Sequence, residues 1–197
     1  LYVPYGPVLD SDLQVGELET AFQPWIVAIR ELAEKERIKF VRMSPFWDDS
    51  SRTRTILENS HFINAPIHVL AETTWLLPLL TDDEEMLAKM NKNHRNLIRR
   101  CLRDGVKTVV RTDPDAIEEF NKLHDATARR HRFHRFSADY IAKEFSVFAP
   151  NYAFVVSGYL PDGRLDSAAI VIAYGSTGAY RHGASLGLDQ RLPTSYA

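Results

Sequence analysis

Three apolar runs follow one another at short intervals near the end of the sequence: YAFVVSGYL (152–160), RLDSAAIVIAY (164–174) and GAYRHGASL (178–186). Each mixes apolar and aromatic residues in the manner of a strand, and only PDG and GST separate them. Connections of this length make hairpins, because a parallel crossover needs a dozen or more residues. A three-stranded meander is therefore fixed, and the earlier elements must supply what covers it.

Those earlier elements alternate helix and strand. LYVPYGPVLD reads as a short strand ending in a Pro/Gly turn. Leu18, Phe22, Trp25, Ile26, Ile29, Leu32 and Ala33 recur at helical intervals over 18–36. IKFVRMSP (38–45) is a strand halted by Pro45, 47–55 a polar loop, LENSHFINA a short helix and turn, and PIHVLAE (66–72) a further strand. Thr81, with Glu84 three positions on, forms a capping box for a helix that runs to Asp104 and stops at Gly105. At 1.5 Å per residue that helix is roughly 34 Å long. VKTVVRT is a strand, Asp113-Pro114 opens a helix over 115–131, and 137–148 is a shorter helix. The expected fold is a mixed α/β (α+β) domain, with a helix-then-strands order in 18–70 and again in 82–186.

The segment MNKNHRNLIRRCLRDGV (90–106) carries Asp104 as its single acid, although the whole chain has a net charge of −2. A protein of that charge is not built to coat DNA or an anionic membrane, so any binding of a polyanion is local. At 100° per residue, Lys92, Arg95, Arg99 and Arg103 form one stripe about 80° wide, opposite Leu87, Met90, Leu97, Ile98 and Cys101. A solvated face near the negative end of the helix dipole explains such a stripe; so does a phosphate or carboxylate ligand. A second cluster, ARRHRFHRF (128–136), sets Arg129, Arg130, Arg132 and Arg135 around two phenylalanines. Guanidinium suits both bidentate phosphate contact and stacking.

Other chemistry is sparse. The sequence has no glycine-rich phosphate loop and no His-x-x-x-His pair. His131 and His134 near Asp139 lack a further ligand, so neither metal nor cofactor is expected. Cys101 falls on the apolar side of its helix as a core residue; as the single cysteine it excludes an intrachain disulfide and fits a reducing cytoplasm. The longest apolar run, WLLPLL, is too short to span a bilayer. In AYRHGAS strict alternation sends Tyr180, His182 and Ala184 to one face, which reads equally as a cleft wall or as an edge strand. The start at Leu1 and the stop at Ala197 read as an excerpt of a longer protein.

Several segments resemble one family in order. YVPYGPVLD is similar to the Y-x-P-R-G-P-V-x-D stretch of the FemABX family, whose members add amino acids to peptidoglycan precursors. The segment 81–110 resembles that family's K-x-x-R-x-N-I-R-x-A-x-K-x-G-V helix through Lys92, Arg95, Asn96, Ile98, Arg99, Gly105 and Val106. FNKLHDATARRHRF resembles its F-x-x-L-x-x-x-T-x-x-R-x-x-F segment through Phe120, Leu123, Thr127, Arg130 and Phe133, with Tyr140 beyond. SAAIVIAYGSTGAYRHGAS is similar to its strand pair ending in Y-x-H-G-A-S. The resemblance implies tandem GNAT-like acyltransferase folds, with 1–78 the C-terminal part of the first domain and 79–197 most of the second.

It also implies an aminoacyltransferase moving an amino acid from aminoacyl-tRNA to the stem peptide of a peptidoglycan precursor. The implied setting is cytoplasmic, with peripheral contact to a membrane-borne lipid-linked substrate. The precursor's diphosphate or the tRNA backbone would meet Lys92, Arg95, Arg99, Arg103, Arg130 and Arg132. Tyr5 and Tyr180 would add positioning, and His182 a proton relay. Alternatives are a GNAT-like N-acyltransferase using acyl-CoA and a non-catalytic RNA- or anion-binding module. Tyr5 replaces the family's arginine before Gly-Pro, Arg103-Asp104 replaces its basic residue before Gly-Val, and its C-terminal lysine segment has no counterpart in 1–197. No catalytic residue is thereby carried over.

Overall fold

The computed structural model describes residues 1–10, 13, 15–70, 73–80 and 82–197. It divides into two compact units, Leu1–Leu77 and Pro78–Ala197. In the first, β1 (Tyr2–Tyr5) pairs in parallel with β2 (Arg42–Pro45), in register from Tyr2↔Arg42 to Tyr5↔Pro45. Parallel neighbours require a crossover, which α1 (Val15–Lys35) supplies. Phe22 and Ile26 of α1 and Ile56 of α2 (Ser51–Asn59) form the buried centre, with Trp25, Met43 and Trp47 packed around them.

Two expectations in this unit are corrected. The polar run 47–55 is only partly loop: the Ser50 side chain accepts from the Thr53 N–H and starts α2 at Ser51. The expected strand at 66–72 is irregular over 66–70, leaving Ile67 63% exposed, and 71–72 lie outside the described residues. No described strand pairs with that run, whose Ile67 carbonyl accepts instead from the Arg42 side chain, and apolar side chains alone do not make a strand.

The second unit holds α3 (Asp83–Lys89), α4 (Lys92–Arg103), β3 (Lys107–Arg111), α5 (Pro114–His131), α6 (Ala138–Phe148), β4 (Ala153–Tyr159), β5 (Leu165–Tyr174), β6 (Thr177–Ser185) and a 3-10 turn, Thr194–Tyr196. The meander forms as expected, and β3 joins its β4 edge to give an antiparallel sheet ordered β3-β4-β5-β6. Asp113 caps α5 with Pro114 at its first position, where the missing N–H costs nothing. Ile117, Phe120 and Leu123 of α5 pack with Ile141 and Phe145 of α6 on Ala153, Val155, Ala168, Ile170 and Ala184 of the sheet.

The single 34 Å helix is also corrected, because the chain breaks at Met90 (φ −74°, ψ 155°). The Asn91 side chain accepts from the Asn93 N–H and begins a new helix, while the Arg95 guanidinium donates to the Leu87 and Ala88 carbonyls at 3.2 and 3.0 Å. Both orphaned ends are thus satisfied locally, which makes the break inexpensive. Asp82 caps α3, and Thr81 lies outside the described residues. Gly105 stops α4 as expected, at φ +88°, with Val106 N–H bonded to the Cys101 carbonyl.

One buried carboxylate fixes the segment after β6. Asp166 is 1% exposed; it accepts from the Leu188 N–H and the Thr194 hydroxyl, both at 2.7 Å, and the Thr194 hydroxyl lies 2.6 Å from that of Ser167. Gly158 leaves the room, since a Cβ there would stand 2.6 Å from Ser167 Oγ. The buried Cys101 thiol donates to the Pro193 carbonyl at 3.4 Å and ties α4 to the same segment. Asp166→Ala leaves the Leu188 N–H without its acceptor and the Thr194 hydroxyl with Ser167 Oγ alone, at a cost of about 1–3 kcal/mol. We expect a loss of about 3 kcal/mol in urea unfolding, with Asp166→Asn losing less; unchanged unfolding in Asp166→Ala would refute the role of this carboxylate.

Candidate functional site

β6 does not alternate strictly. Its register runs Ile170↔His182 and then Val171↔Tyr180, so Arg181 is an extra, bulged residue. The expectation that Tyr180 and His182 share a face is therefore corrected. Tyr180 lies opposite Val171, on the face away from α5 and α6, with its hydroxyl over Gly183, where any side chain would collide with it. His182 stays with Ile170 and Ala184 on the helix-covered face, 8% exposed.

The bulge lets consecutive residues reach one carboxylate. On α6, Glu144 Oε1 accepts from Arg181 at 2.8 Å, and its Oε2 from His182 Nε2, also at 2.8 Å. Burial alone would raise the Glu144 carboxyl, but the bonds from Arg181 and His182 outweigh it and hold the pKa below its ordinary value. With Nε2 donating, neutral His182 keeps its basic lone pair on Nδ1. That is a base oriented by a carboxylate.

Around this pair stand more rings. His124 of α5 is 6% exposed and lies 6.2 Å from His182, 5.3 Å from Phe120 and 5.9 Å from Phe133 between ring centres, with its Nδ1 unpartnered. Burial, then the neighbouring Arg135 and His182, hold the His124 pKa below its ordinary value. Arg135, its side chain 11% exposed, donates to Asp125 (2.5 Å), to the Asn121 side chain (3.2 Å) and to the Phe136 carbonyl (2.9 Å).

The basic residues separate into three places. Arg130 donates to the Ser185 carbonyl at 2.6 Å, and Thr127 bonds both backbone groups of Ser185, so the end of α5 is docked on the end of β6 near His182. Arg132 ends α5 in the left-handed conformation (φ 56°) and is exposed. On α4 the stripe is largely engaged within the protein: Arg95 with the α3 carbonyls, Arg99 with Glu84 at 3.1 Å, Arg103 with Asp104 at 2.7 Å. Lys92 is exposed at the start of α4. Beside the stripe a groove of about 630 Å³ is lined by Asn93, Asn96, Leu97, Arg99, Arg100 and Arg103, with the Arg100 Nε buried and unpartnered. Tyr5 belongs to the first unit, at φ 54° and edge-on to Phe46 at 6.2 Å, on a separate groove of about 840 Å³ that Arg42 and Arg54 also line.

Glu144 and His124 were not legible as site residues, and Arg135, expected in the second basic cluster, is instead held inside by Asp125 and Asn121. Glu144 reads as an ordinary exposed helix position, and only the bulge brings Arg181 and His182 to it. No three His, Cys, Asp or Glu among the described residues are grouped to hold a metal, and no described helix is long and apolar enough to cross a membrane.

Residues 69–165 match the model of the FemAB family. The crystal structure of FemX matches with a TM-score of 0.79 at 14% identity, over 99% of this chain and 66% of FemX. That likeness establishes a mixed α/β, GNAT-like fold, and the chain spans just under two thirds of the FemX chain. No curated protein matches the chain.

Acid should unfold the second unit in two stages. Unfolded His124 gains a proton near its ordinary 6.5 while the folded one resists it, so stability is whole above that pH and falls below it. The Glu144 contribution is whole above 4.5 and is lost only as pH drops through the lower folded value. His124→Phe should therefore flatten thermal stability just below pH 6.5 and leave the more acidic loss in place. An unchanged slope in that window would show His124 is not its source.

Proposed function

We propose, from the match of residues 69–165 to the FemAB family model, that the protein is an aminoacyltransferase of peptidoglycan interpeptide-bridge synthesis. It takes an amino acid from aminoacyl-tRNA and joins it to an amine of a precursor's stem peptide. The family match over α3 to β4 carries this reading, since it includes the guanidinium-lined groove of α4. A charged-tRNA donor and a nucleotide- or lipid-linked acceptor place the reaction in the cytoplasm, at or near the membrane surface. We take 1–78 as the C-terminal part of one GNAT-like domain and 79–197 as most of a second.

The chemistry is displacement at an ester. The neutral amine forms a C–N bond to the aminoacyl carbonyl, the C–O bond to the ribose breaks, and the amine's proton passes to the departing oxygen. Holding the two partners in line supplies much of the rate, and donors aimed at the developing oxyanion supply more. Arg99, Arg100 and Arg103 of the α4 groove would hold the precursor's diphosphate, with Lys92 and Arg95 near them. Tyr5 lines the first unit's groove and would contact substrate there, and Tyr180 would orient the acyl group on β6. His182, oriented by Glu144, would carry the proton through Nδ1. Arg130 and Arg132 would meet the tRNA.

The test is transfer of a labelled amino acid from charged tRNA to a UDP-linked muropeptide, with acyl-CoA offered in a parallel reaction. Arg99→Ala with Arg103→Ala should raise KM for the muropeptide about tenfold, as loss of charge-assisted contacts to phosphate does. Transfer only from acyl-CoA would replace the donor. No transfer from either, with RNA binding retained, would leave a binding module in place of an enzyme.

A further inference from the structure

A column of rings rises from the buried His182 to the surface beside the basic end of α5. The His182 ring lies 6.0 Å from Phe136, edge to face, and Phe136 stacks on Tyr140 at 4.8 Å and 23°. His182 is 8% exposed, Phe136 53% and Tyr140 45%, so the column ends in an open aromatic face. The platform is fixed before any ligand arrives. Arg135 holds the Phe136 carbonyl from below, and Ser137 caps α6 by accepting from the Tyr140 N–H at 3.1 Å.

Large aromatic surface left this open on a rigid loop marks a contact site. The charge around it selects the partner. Arg129 and Arg132 stand exposed at the end of α5, which leads into the loop carrying Phe136; Arg129 helps to lower the Asp125 carboxyl, behind the nearer Arg135. An open ring face and exposed guanidinium groups are together the two parts of a single-stranded nucleic-acid site, where bases stack and phosphates meet cations. An acidic peptide would use the arginines and leave the rings bare. A lipid chain would do the reverse.

We propose that Phe136 and Tyr140 form the stacking platform for an unpaired nucleobase of an RNA, with Arg129 and Arg132 meeting its phosphates. This rests on the reading of an RNA-borne donor and assigns residues to hold that donor's single-stranded end. The glutamate-bound His182 at the foot of the column would then lie beneath the RNA terminus.

The measurement is fluorescence anisotropy of a labelled single-stranded RNA and of uncharged tRNA, titrated with the full protein at several salt concentrations. Tyr140→Leu and Phe136→Leu keep bulk but remove the π face, and each should weaken binding about tenfold. Tyr140→Trp should retain it. Arg129→Gln and Arg132→Gln should each reduce the salt slope by about 0.7, the share of one phosphate on a single strand. Thermal melts within a few degrees of the parent establish that each variant is folded. If the parent binds RNA and accepts charged tRNA, while Tyr140→Leu and Phe136→Leu bind as the parent does, the platform alone is overturned. If the parent binds no RNA, the donor reading falls with it; binding of an acidic peptide in its place would reassign the arginines.

Discussion

The Asp166 carboxylate is the interaction on which the second unit's arrangement depends. A buried carboxylate is costly unless its lone pairs are filled, and Asp166 fills them with the Leu188 N–H and the Thr194 hydroxyl. Those two donors belong to the segment that follows β6, so that segment cannot leave without stranding a charge. The segment in turn carries α4: Pro193 accepts from Cys101, and Tyr196 meets the His94 ring edge-on at 5.5 Å. The cationic helix is thus held on the sheet through a short irregular stretch whose own anchor is one acid on β5.

That arrangement changes the meaning of the basic stripe. Angular placement on an ideal helix shows four cations in a row and predicts mutual repulsion. The folded chain relieves it with the end of α3 for Arg95, Glu84 for Arg99 and the adjacent Asp104 for Arg103. These partners are weak. Arg99 and Glu84 side chains are 56% and 75% exposed, and pairs so open to water contribute little. A phosphate group with two charges and fixed oxygens would displace them readily, so internal pairing and ligand binding are compatible uses of the same side chains. The helix break at Met90 serves both, because it turns α3 so that its acidic first turn reaches Arg99.

Much of the fold was legible because it rests on local rules. The short PDG and GST connections determined the hairpins, Asp113-Pro114 the start of α5, and Gly105 the end of α4. Cys101 on the apolar side of α4 is indeed buried. Failures came where one local preference outweighed another. Ser50 capped a helix in a run that looked like loop, and Asn91 ended one helix and began the next inside a pattern that read as continuous. The apolar run at 66–70 had strand composition and no neighbour to pair with. The likeness to the FemAB family was legible from motif order, since residues scattered along the chain had to match together, whereas each stretch alone was weak.

The site was the least legible part, and the cause is a single inserted residue. Alternation is reliable only while each residue of a strand faces one residue of its neighbour. At Arg181 the count becomes two against one, which reverses Tyr180 and sends Arg181 and His182 together to Glu144. No periodic reading of AYRHGAS can produce that arrangement, and an unbulged strand could not have aimed two consecutive side chains at one carboxylate. Glycine at 183 fits the same logic, because the reversed Tyr180 needs the space that a Cβ would occupy. The residues where the pattern breaks are therefore the ones the fold gathers on one carboxylate, and such a departure in an otherwise consistent fold is what makes this the candidate site.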